Sequence, residues 1–166
     1  LFTVALCALA LGACGKAAEQ AAETATERAI ESQSGEAVDV EIDTQDGQQV
    51  LSVQTPEGEM RHTTGADVAL PADFPTDIAL PRDYTVLSVM TMGPAVSVVL
   101  RSPGSVADVY AQLRTDQAGQ GWKESVSMQG SQGSMLGFEK NKRGLLVNLR
   151  PDLDGQTVVS LSLEAR

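Results

Sequence analysis

Residues 105–113 read Ser-Val-Ala-Asp-Val-Tyr-Ala-Gln-Leu, and this stretch decides the fold because it is the clearest helix among strand-like segments. Its large apolar residues recur at i, i+3, i+4 and i+7 and share one helical face; they are Val106, Val109, Tyr110 and Leu113. Ser105, with Asp108 three residues later, is typical of a helix N-terminus. We predict a helix over 106–118, with Gly119 and Gly121 as left-handed stop positions.

The segments on either side of this helix have the composition and turn residues of strands. Residues 84–92 and 95–101 precede it and are separated by Gly93-Pro94, which predicts a hairpin turn. Three strand units follow it: 122–128, the hairpin of 135–141 and 145–150, and 157–165. The glycine- and serine-rich residues 130–134 predict a flexible loop. The resulting ββαβββ order predicts an α+β domain over 83–166, an antiparallel sheet with one main helix packed on one face.

The acidic charge is concentrated in one half of the chain. The formal net charge is −10; residues 15–83 contain 15 acidic and 4 basic residues, whereas residues 84–166 contain 7 and 8. Beyond residue 13, the aromatic residues are Phe74, Tyr84, Tyr110, Trp122 and Phe138. Because aromatic side chains dominate core packing, we place the core in the C-terminal half. Trp122 is predicted to pack there, with a ligand platform as the alternative. Nucleic acid is not an expected partner, because phosphate contacts need a basic surface.

Residues 36–64 have the pattern of an acidic β-meander. Apolar and acidic residues alternate in the first strand, which runs Val38, Asp39, Val40, Glu41, Ile42 and Asp43. This period of two predicts one buried and one acidic face. Turn signals follow at Asp46-Gly47 and Pro56-Glu57-Gly58, and we expect the unit to extend or pack on the C-terminal sheet. The carboxylates do not match the spacing of a calcium loop, and we interpret them as a solvated edge without a metal site.

Residues 65–82 are predicted to be an extended connector. They contain three prolines, Pro71, Pro75 and Pro81, which disfavour a helix because each lacks a backbone donor. The segment also contains Phe74, Ile78 and Leu80. We expect these apolar side chains to order the connector against the core.

Residues 1–13 are apolar and uncharged, and they end in Leu11-Gly12-Ala13-Cys14. The run is shorter than the roughly 20 residues that span a bilayer. Small residues precede the cysteine, whose thiol can form a thioether with diacylglycerol. We therefore predict a lipoprotein signal peptide over 1–13 and lipidation of Cys14; an ordinary secretory signal is the alternative. No methionine or basic segment precedes Leu1, so we expect this signal to begin further upstream.

Residues 14–35 are predicted to be a lipid anchor followed by a helical tether. The segment is rich in alanine, and its glutamates recur every four residues at Glu19, Glu23, Glu27 and Glu31. Like charges at this spacing repel, so we expect a marginal, exposed helix. A stripe of alanines leaves a coiled-coil seam open as an alternative; it consists of Ala18, Ala22, Ala25 and Ala29. Removal of Cys7 with the signal and acylation of Cys14 would leave no disulfide.

The order of lipobox, alanine- and glutamate-rich tether, acidic hairpin and Leu-Pro, Phe-Pro, Leu-Pro segment resembles small bacterial lipoproteins of unknown function. This resemblance implies cleavage before Cys14 and acylation of both its sulfur and its amino group. Gly15 after the cysteine implies sorting to the outer membrane, on its periplasmic side. The resemblance carries no catalytic residue, and the partner it implies is the lipid bilayer itself.

Catalytic and cofactor motifs are not recognisable in the sequence. His62 is the only histidine, and no Gly-x-Ser-x-Gly, Ser-x-x-Lys, dinucleotide or Walker sequence accompanies it. We expect no catalytic residue, no metal site and no cofactor beyond the lipid on Cys14. The basic residues Lys140, Lys142 and Arg143 are predicted to cluster at a hairpin tip. They either contact lipid headgroups, cell-wall carboxylates or an acidic partner, or keep the tip solvated.

Two functional hypotheses follow. The first is a non-enzymatic binding or structural module of the cell envelope, with an envelope protein or the cell wall as partner. The second is a small-ligand-binding or substrate-processing domain with a pocket between helix and sheet, walled by Tyr110 or Trp122. This pocket would be contradicted if core side chains filled the space. The side chains expected there are Val109, Leu113, Phe138 and Leu161.

Overall fold

The computed structural model describes residues 15–34, 39–45, 47–55, 58–152 and 154–165. Cys14 and the predicted signal peptide lie outside the described residues. The helices are α1 (Gly15–Ser34) and α2 (Val106–Gly119). The strands are β1 (Asp39–Gln45), β2 (Gln48–Thr55), β3 (Gly58–Gly65), β4 (Thr85–Met92), β5 (Ala95–Ser102), β6 (Lys123–Gly130), β7 (Gly133–Lys140), β8 (Arg143–Pro151) and β9 (Thr157–Ala165).

All of these strands form one antiparallel sheet in the order β1-β2-β3-β4-β5-β9-β8-β7-β6. Strands β1 to β5 are sequential neighbours; α2 then carries the chain across the sheet to its far edge. From β6 the chain returns strand by strand until β9 pairs with β5. The predicted α+β class with an antiparallel sheet is confirmed.

The predicted ββαβββ order is wrong by one strand. The hairpin of 135–141 and 145–150 contributes two full strands, β7 and β8, so the order after β3 is ββαββββ. The predicted flexible loop over 130–134 is also wrong. Gly130 pairs with Gly133 and Gln129 with Ser134, so β6 and β7 form a tight hairpin. Backbone hydrogen bonding across the hairpin outweighs the weak strand preference of glycine and serine.

The helix α2 follows the prediction closely. The Ser105 hydroxyl accepts from the Asp108 amide at 3.2 Å and donates to the Asp108 carboxylate at 2.7 Å. Val109, Tyr110 and Leu113 are buried. The stop differs from the prediction because the helix continues through Gly119, and the positive φ of 82° belongs to Gly121.

The main core lies between α2 and the sheet, in the C-terminal half as predicted. Cross-strand neighbours of one sheet face form its floor, including Val98, Leu100, Leu136, Phe138, Leu145, Val147, Leu149, Val159 and Leu161. Val109, Leu113 and Trp122 are buried in the same cluster. The space that the second hypothesis assigned to a ligand pocket is therefore filled by side chains.

The connector between β3 and β4 packs against the same core. Ile78 is buried, and Phe74 and Leu80 are partly buried against it, as expected. The buried Gln117 side chain of α2 fixes the backbone of Ala79: its amide nitrogen donates to the Ala79 carbonyl at 3.0 Å, and its oxygen accepts from the Ala79 amide at 3.2 Å. These two hydrogen bonds hold the irregular connector against α2, and they satisfy the buried polar atoms of the Gln117 side chain.

The acidic meander extends the sheet, because β3 pairs with β4 along Met60 to Thr64. On β1, Val40 is buried, whereas Asp39, Glu41 and Asp43 are exposed, as the alternation predicts. Gly65 ends β3 beside Gly47, which lies between β1 and β2; its φ is 126°, and a Cβ there would overlap the carbonyl oxygen of Gly47. Only glycine fits this position.

The helix α1 lies along the edge strand β1. The Ile42 amide donates to the Glu23 carboxylate at 2.9 Å, and the Val40 amide donates to Glu27 at 3.4 Å. On the coiled-coil stripe Ala22, Ala25 and Ala29 are exposed. Within the described part of the chain, neither helix has the length and apolar character needed to cross a bilayer.

Candidate functional site

The sheet face opposite α2, which we call the open face, carries most of the exposed apolar side chains. Six large apolar residues are exposed among those described, and all but Tyr84 lie on this face: Met90, Met92, Val126, Met128 and Leu146. Leu146 is 39% exposed although it belongs to β8, well inside the sheet. No described element therefore covers the middle of the open face.

The strand register shows how this face is assembled. One row of cross-strand neighbours crosses every strand from β6 to β1: Val126, Gly137, Leu146, Ser162, Ser97, Met90, His62, Leu51 and Ile42. Directly paired residues project to the same side of a sheet. Apolar side chains therefore occupy both ends of the row, and small polar residues occupy its centre, where the Ser97 and Ser162 hydroxyls are 3.3 Å apart.

All five methionines of the chain lie on the open face. Met60 pairs with Met92, and Met90 lies two residues before Met92 on the same strand. At the far end of the sheet Met128 pairs with Met135. None of them contributes to the buried core. Flexible, polarisable thioethers adapt to partner surfaces, so this segregation distinguishes the open face from the packed face.

A shallow cavity of about 480 Å³ lies at the β6 end of the open face. Its walls include Met128 and Met135, and its polar lining includes Asn148, Arg150 and Ser160. Met135, Asn148 and Ser160 are successive cross-strand neighbours. The cavity therefore combines apolar walls with hydrogen-bonding groups.

Trp122 and the basic hairpin tip lie on the packed face of the sheet, the face that carries α2. The Trp122 indole nitrogen donates to the Asp77 carbonyl at 2.7 Å. The Asp77 carboxylate accepts from Lys140 at 2.6 Å and from Arg143 at 2.5 Å. Arg143 also lies 5.0 Å from the centroid of the Trp122 ring. Two of the three predicted tip cations are thus paired with Asp77, and only Lys142 is exposed.

The two ion pairs lower the pKa of the Asp77 carboxyl group. Hydrogen bonding from Arg143, opposed by partial burial and assisted by Lys140, lowers the pKa of Asp77 from 3.8 to about 2. The cluster therefore remains ionised through the neutral range, and its cations face an intramolecular carboxylate. The packed cluster offers few donors to lipid headgroups or the cell wall.

The described candidates from the sequence, His62 and Tyr110, lie on opposite faces of the sheet. Cys14 lies outside the described residues, His62 lies on the open face, and Tyr110 donates or accepts a 2.6 Å hydrogen bond with Ser127 on the packed face. No three described histidine, cysteine, aspartate or glutamate side chains are arranged to hold a metal ion. The methionines were missed as functional candidates, although Met-x-His at 60–62 and Met-x-Met at 90–92 have the strand period of two.

Comparison of this chain with protein-family models, curated proteins and solved structures finds no match.

Proposed function

We propose that this chain is a membrane-anchored lipoprotein of the bacterial outer membrane that faces the periplasm and binds a partner protein through its open face. The observation that carries the binding proposal is the placement of all five methionines on a sheet face whose middle no described element covers. The anchor is lipidated Cys14, as the sequence predicts. The module is non-enzymatic in this proposal, and the bilayer and the partner are its two attachments.

The chemistry of the open face favours a protein as the partner. Exposed apolar side chains gather on it, and such patches mark interaction sites. The Ser97 and Ser162 hydroxyls lie between them and hydrogen-bond each other, and their remaining hydrogen-bonding capacity needs polar groups when covered. Acyl chains do not supply such groups, whereas a protein surface supplies both apolar and polar contacts.

Site-specific crosslinking in intact cells tests this proposal. A photoreactive amino acid at Leu146, in the middle of the open face, is expected to give one discrete adduct. The same amino acid at Ala111, exposed on α2, is the matched control and is expected to give none. Met128→Glu, combined with the probe at Leu146, is expected to abolish the adduct because it places a charge in an apolar contact.

Equal adduct yields from Leu146 and Ala111 would contradict the proposal, as would an adduct that Met128→Glu leaves unchanged. An adduct of twice the chain mass would identify a second copy as the occupant, in place of a different protein.

The anchor has its own test. Cys14→Ser is expected to release the protein from the membrane fraction into the soluble periplasm, because acyl chains supply most of the binding to the bilayer. Ser34→Ala, beyond the lipobox, is the matched control and is expected to stay membrane-bound. Membrane fractionation of Cys14→Ser equal to that of the control would refute lipidation as the anchor.

A small ligand in the open-face cavity is the second candidate function. The observation that favours it is the combination of Met128 and Met135 walls with Asn148, Arg150 and Ser160. Native mass spectrometry of gently purified protein would then show a bound small molecule that Ser160→Phe removes. An unliganded mass for the unchanged protein would contradict this candidate.

A further inference from the structure

Four side chains with soft donor atoms meet on the open face where β3 pairs with β4. His62 is the direct cross-strand neighbour of Met90, and Met60 is the direct neighbour of Met92. Residues two apart on a strand project to the same side. The three thioethers and the imidazole therefore form one patch, although the residues come from sequence positions about thirty apart.

The strand geometry brings these donors within reach of one ion. Directly paired residues have Cβ atoms about 5 Å apart, and residues two apart on a strand are separated by about 7 Å. The four Cβ atoms thus mark a rectangle of these dimensions. Methionine has three rotatable side-chain bonds, so three sulfur atoms can turn inward above the rectangle beside the imidazole.

Met90 and Met92 are exposed, whereas Met60 and His62 are half-buried. Met90 is 40% exposed and Met92 is 47% exposed. Their neighbours on β5 are the small residues Ser97 and Ala95, which leave space above the strand. On the other side Met60 pairs with Val53 and His62 with Leu51, so an apolar border flanks the patch.

Hard oxygen ligands are directed away from the patch. Among the described residues, no carboxylate side chain projects from the open face of β2, β3, β4 or β5. The acidic residues of β1 at positions 39, 41 and 43 project from the opposite face of the sheet. Calcium and magnesium require oxygen ligands, whereas thioethers select soft ions. The donor set therefore favours soft ions over calcium and magnesium.

We propose that Met60, His62, Met90 and Met92 form a binding site for the soft monovalent cation Cu(I). Ag(I), which has the same d10 configuration, serves as its analogue. Thioether sulfur and neutral imidazole are preferred ligands of Cu(I). The three thioether sulfur atoms carry no proton to lose on binding, and the net charge of −10 favours accumulation of cations near the chain. The site does not depend on the partner protein proposed above.

Anaerobic titration of Cu(I) against a chromogenic Cu(I) chelator tests the site. The full chain carries Cys7→Ser and Cys14→Ser, because thiolates would bind Cu(I) independently of the methionines. The protein is expected to take one equivalent of Cu(I) from the chelator. The double substitution Met90→Leu, Met92→Leu is expected to lower the affinity at least about tenfold, since it removes two ligands and keeps side-chain volume.

The matched control is Met128→Leu, Met135→Leu, which removes two thioethers from the distant end of the same face. This variant is expected to retain the affinity of the unchanged protein. Equal thermal unfolding of both double variants establishes that neither is misfolded. Equal losses of Cu(I) affinity in the two variants, or no retained equivalent in the unchanged protein, would overturn the site.

Nuclear magnetic resonance of the methionine ε-methyl groups locates the bound ion. One equivalent of Ag(I) is expected to shift the methyl signals of Met60, Met90 and Met92 and to leave those of Met128 and Met135 in place. Simultaneous shifts of all five signals would overturn the site, because they would indicate non-specific binding to exposed thioethers. Leucine substitutions leave the apolar face intact, so loss of Cu(I) binding with an unchanged Leu146 crosslink separates this inference from the partner proposal.

Discussion

Asp77 joins the connector to the hairpin of β7 and β8. Its carboxylate binds Lys140 and Arg143, and its carbonyl accepts from the Trp122 indole. One connector residue thus holds three side chains from β7, β8 and the segment after α2. The Asp77 side chain is 27% exposed, so solvent reduces but does not remove the contribution of the ion pairs to stability.

Asp77→Asn is expected to lower the free energy of unfolding by about 1–2 kcal/mol at pH 7, because it leaves two partly buried cations without a counter-charge. The folded-state pKa of about 2 lies below the ordinary value of 3.8. The stabilisation is therefore complete above pH 4 and is lost as the pH falls toward 2. Urea unfolding between pH 7 and pH 3 measures it.

Asp73→Asn is the matched control because Asp73 is an exposed carboxylate of the same connector. It is expected to change the free energy of unfolding by less than about 0.5 kcal/mol. An Asp77→Asn effect no larger than that of Asp73→Asn, or one independent of pH, would contradict the structural role of the ion pairs.

Individual residue roles were the hardest to predict from sequence. Lys140 and Arg143 stand beside the solvent-exposed Lys142, and nothing in their spacing indicates that Asp77, more than sixty positions away, pairs with them. The roles of Val109, Tyr110 and Leu113 were predictable because helical periodicity is local. Local patterns therefore identify core positions, whereas long-range pairing remains invisible in one sequence.

The contact of α1 with β1 gives the repeated glutamates a structural role. Residues four apart on a helix are separated by about 6 Å, and alternate residues on a strand are separated by about 7 Å. This match lets Glu27 and Glu23 accept from Val40 and Ile42 in turn. The edge strand is thereby covered, which limits pairing with other chains.

Glu23→Ala with Glu27→Ala is expected to free this edge. Alanine favours helix, so α1 itself is retained while its acceptors are removed. Amide hydrogen exchange at Val40 and Ile42 is expected to accelerate at least about tenfold. Exchange measured by nuclear magnetic resonance or mass spectrometry checks this result.

Glu31→Ala is the matched control, because Glu31 is an exposed glutamate of the same series. It is expected to leave exchange at both amides unchanged. Unaltered exchange in the double variant would show that the carboxylates do not protect the edge.

At the scale of elements, the sequence predicted α2 and most strands, but it did not show two sets of tertiary hydrogen bonds. Gly130 and Ser134 lack strand preference but are fixed by pairing with Gly133 and Gln129. The glutamates of α1 repel one another in an isolated helix, yet a neighbouring strand supplies donors for two of them. In both cases tertiary hydrogen bonds outweigh local propensity.

The whole molecule has two sheet faces with different chemistry. One face, with α2 and the connector, contains the aliphatic and aromatic core. The other carries all five methionines, the only histidine and a row of serines. The α+β class was predictable from the strand and helix periods. The open face was not, because face assignment depends on register across nine strands.

The rate at which hydrogen peroxide oxidises Met128 tests the central claim most directly. Met128 is 59% exposed and lies far from the four proposed metal ligands. Methionine oxidation follows exposure. In intact cells a bound partner is expected to slow its conversion to the sulfoxide by about fivefold or more relative to the Leu146→Glu variant, whose open face carries a charge. Equal Met128 oxidation rates in the two proteins would contradict the open face as a partner-binding surface.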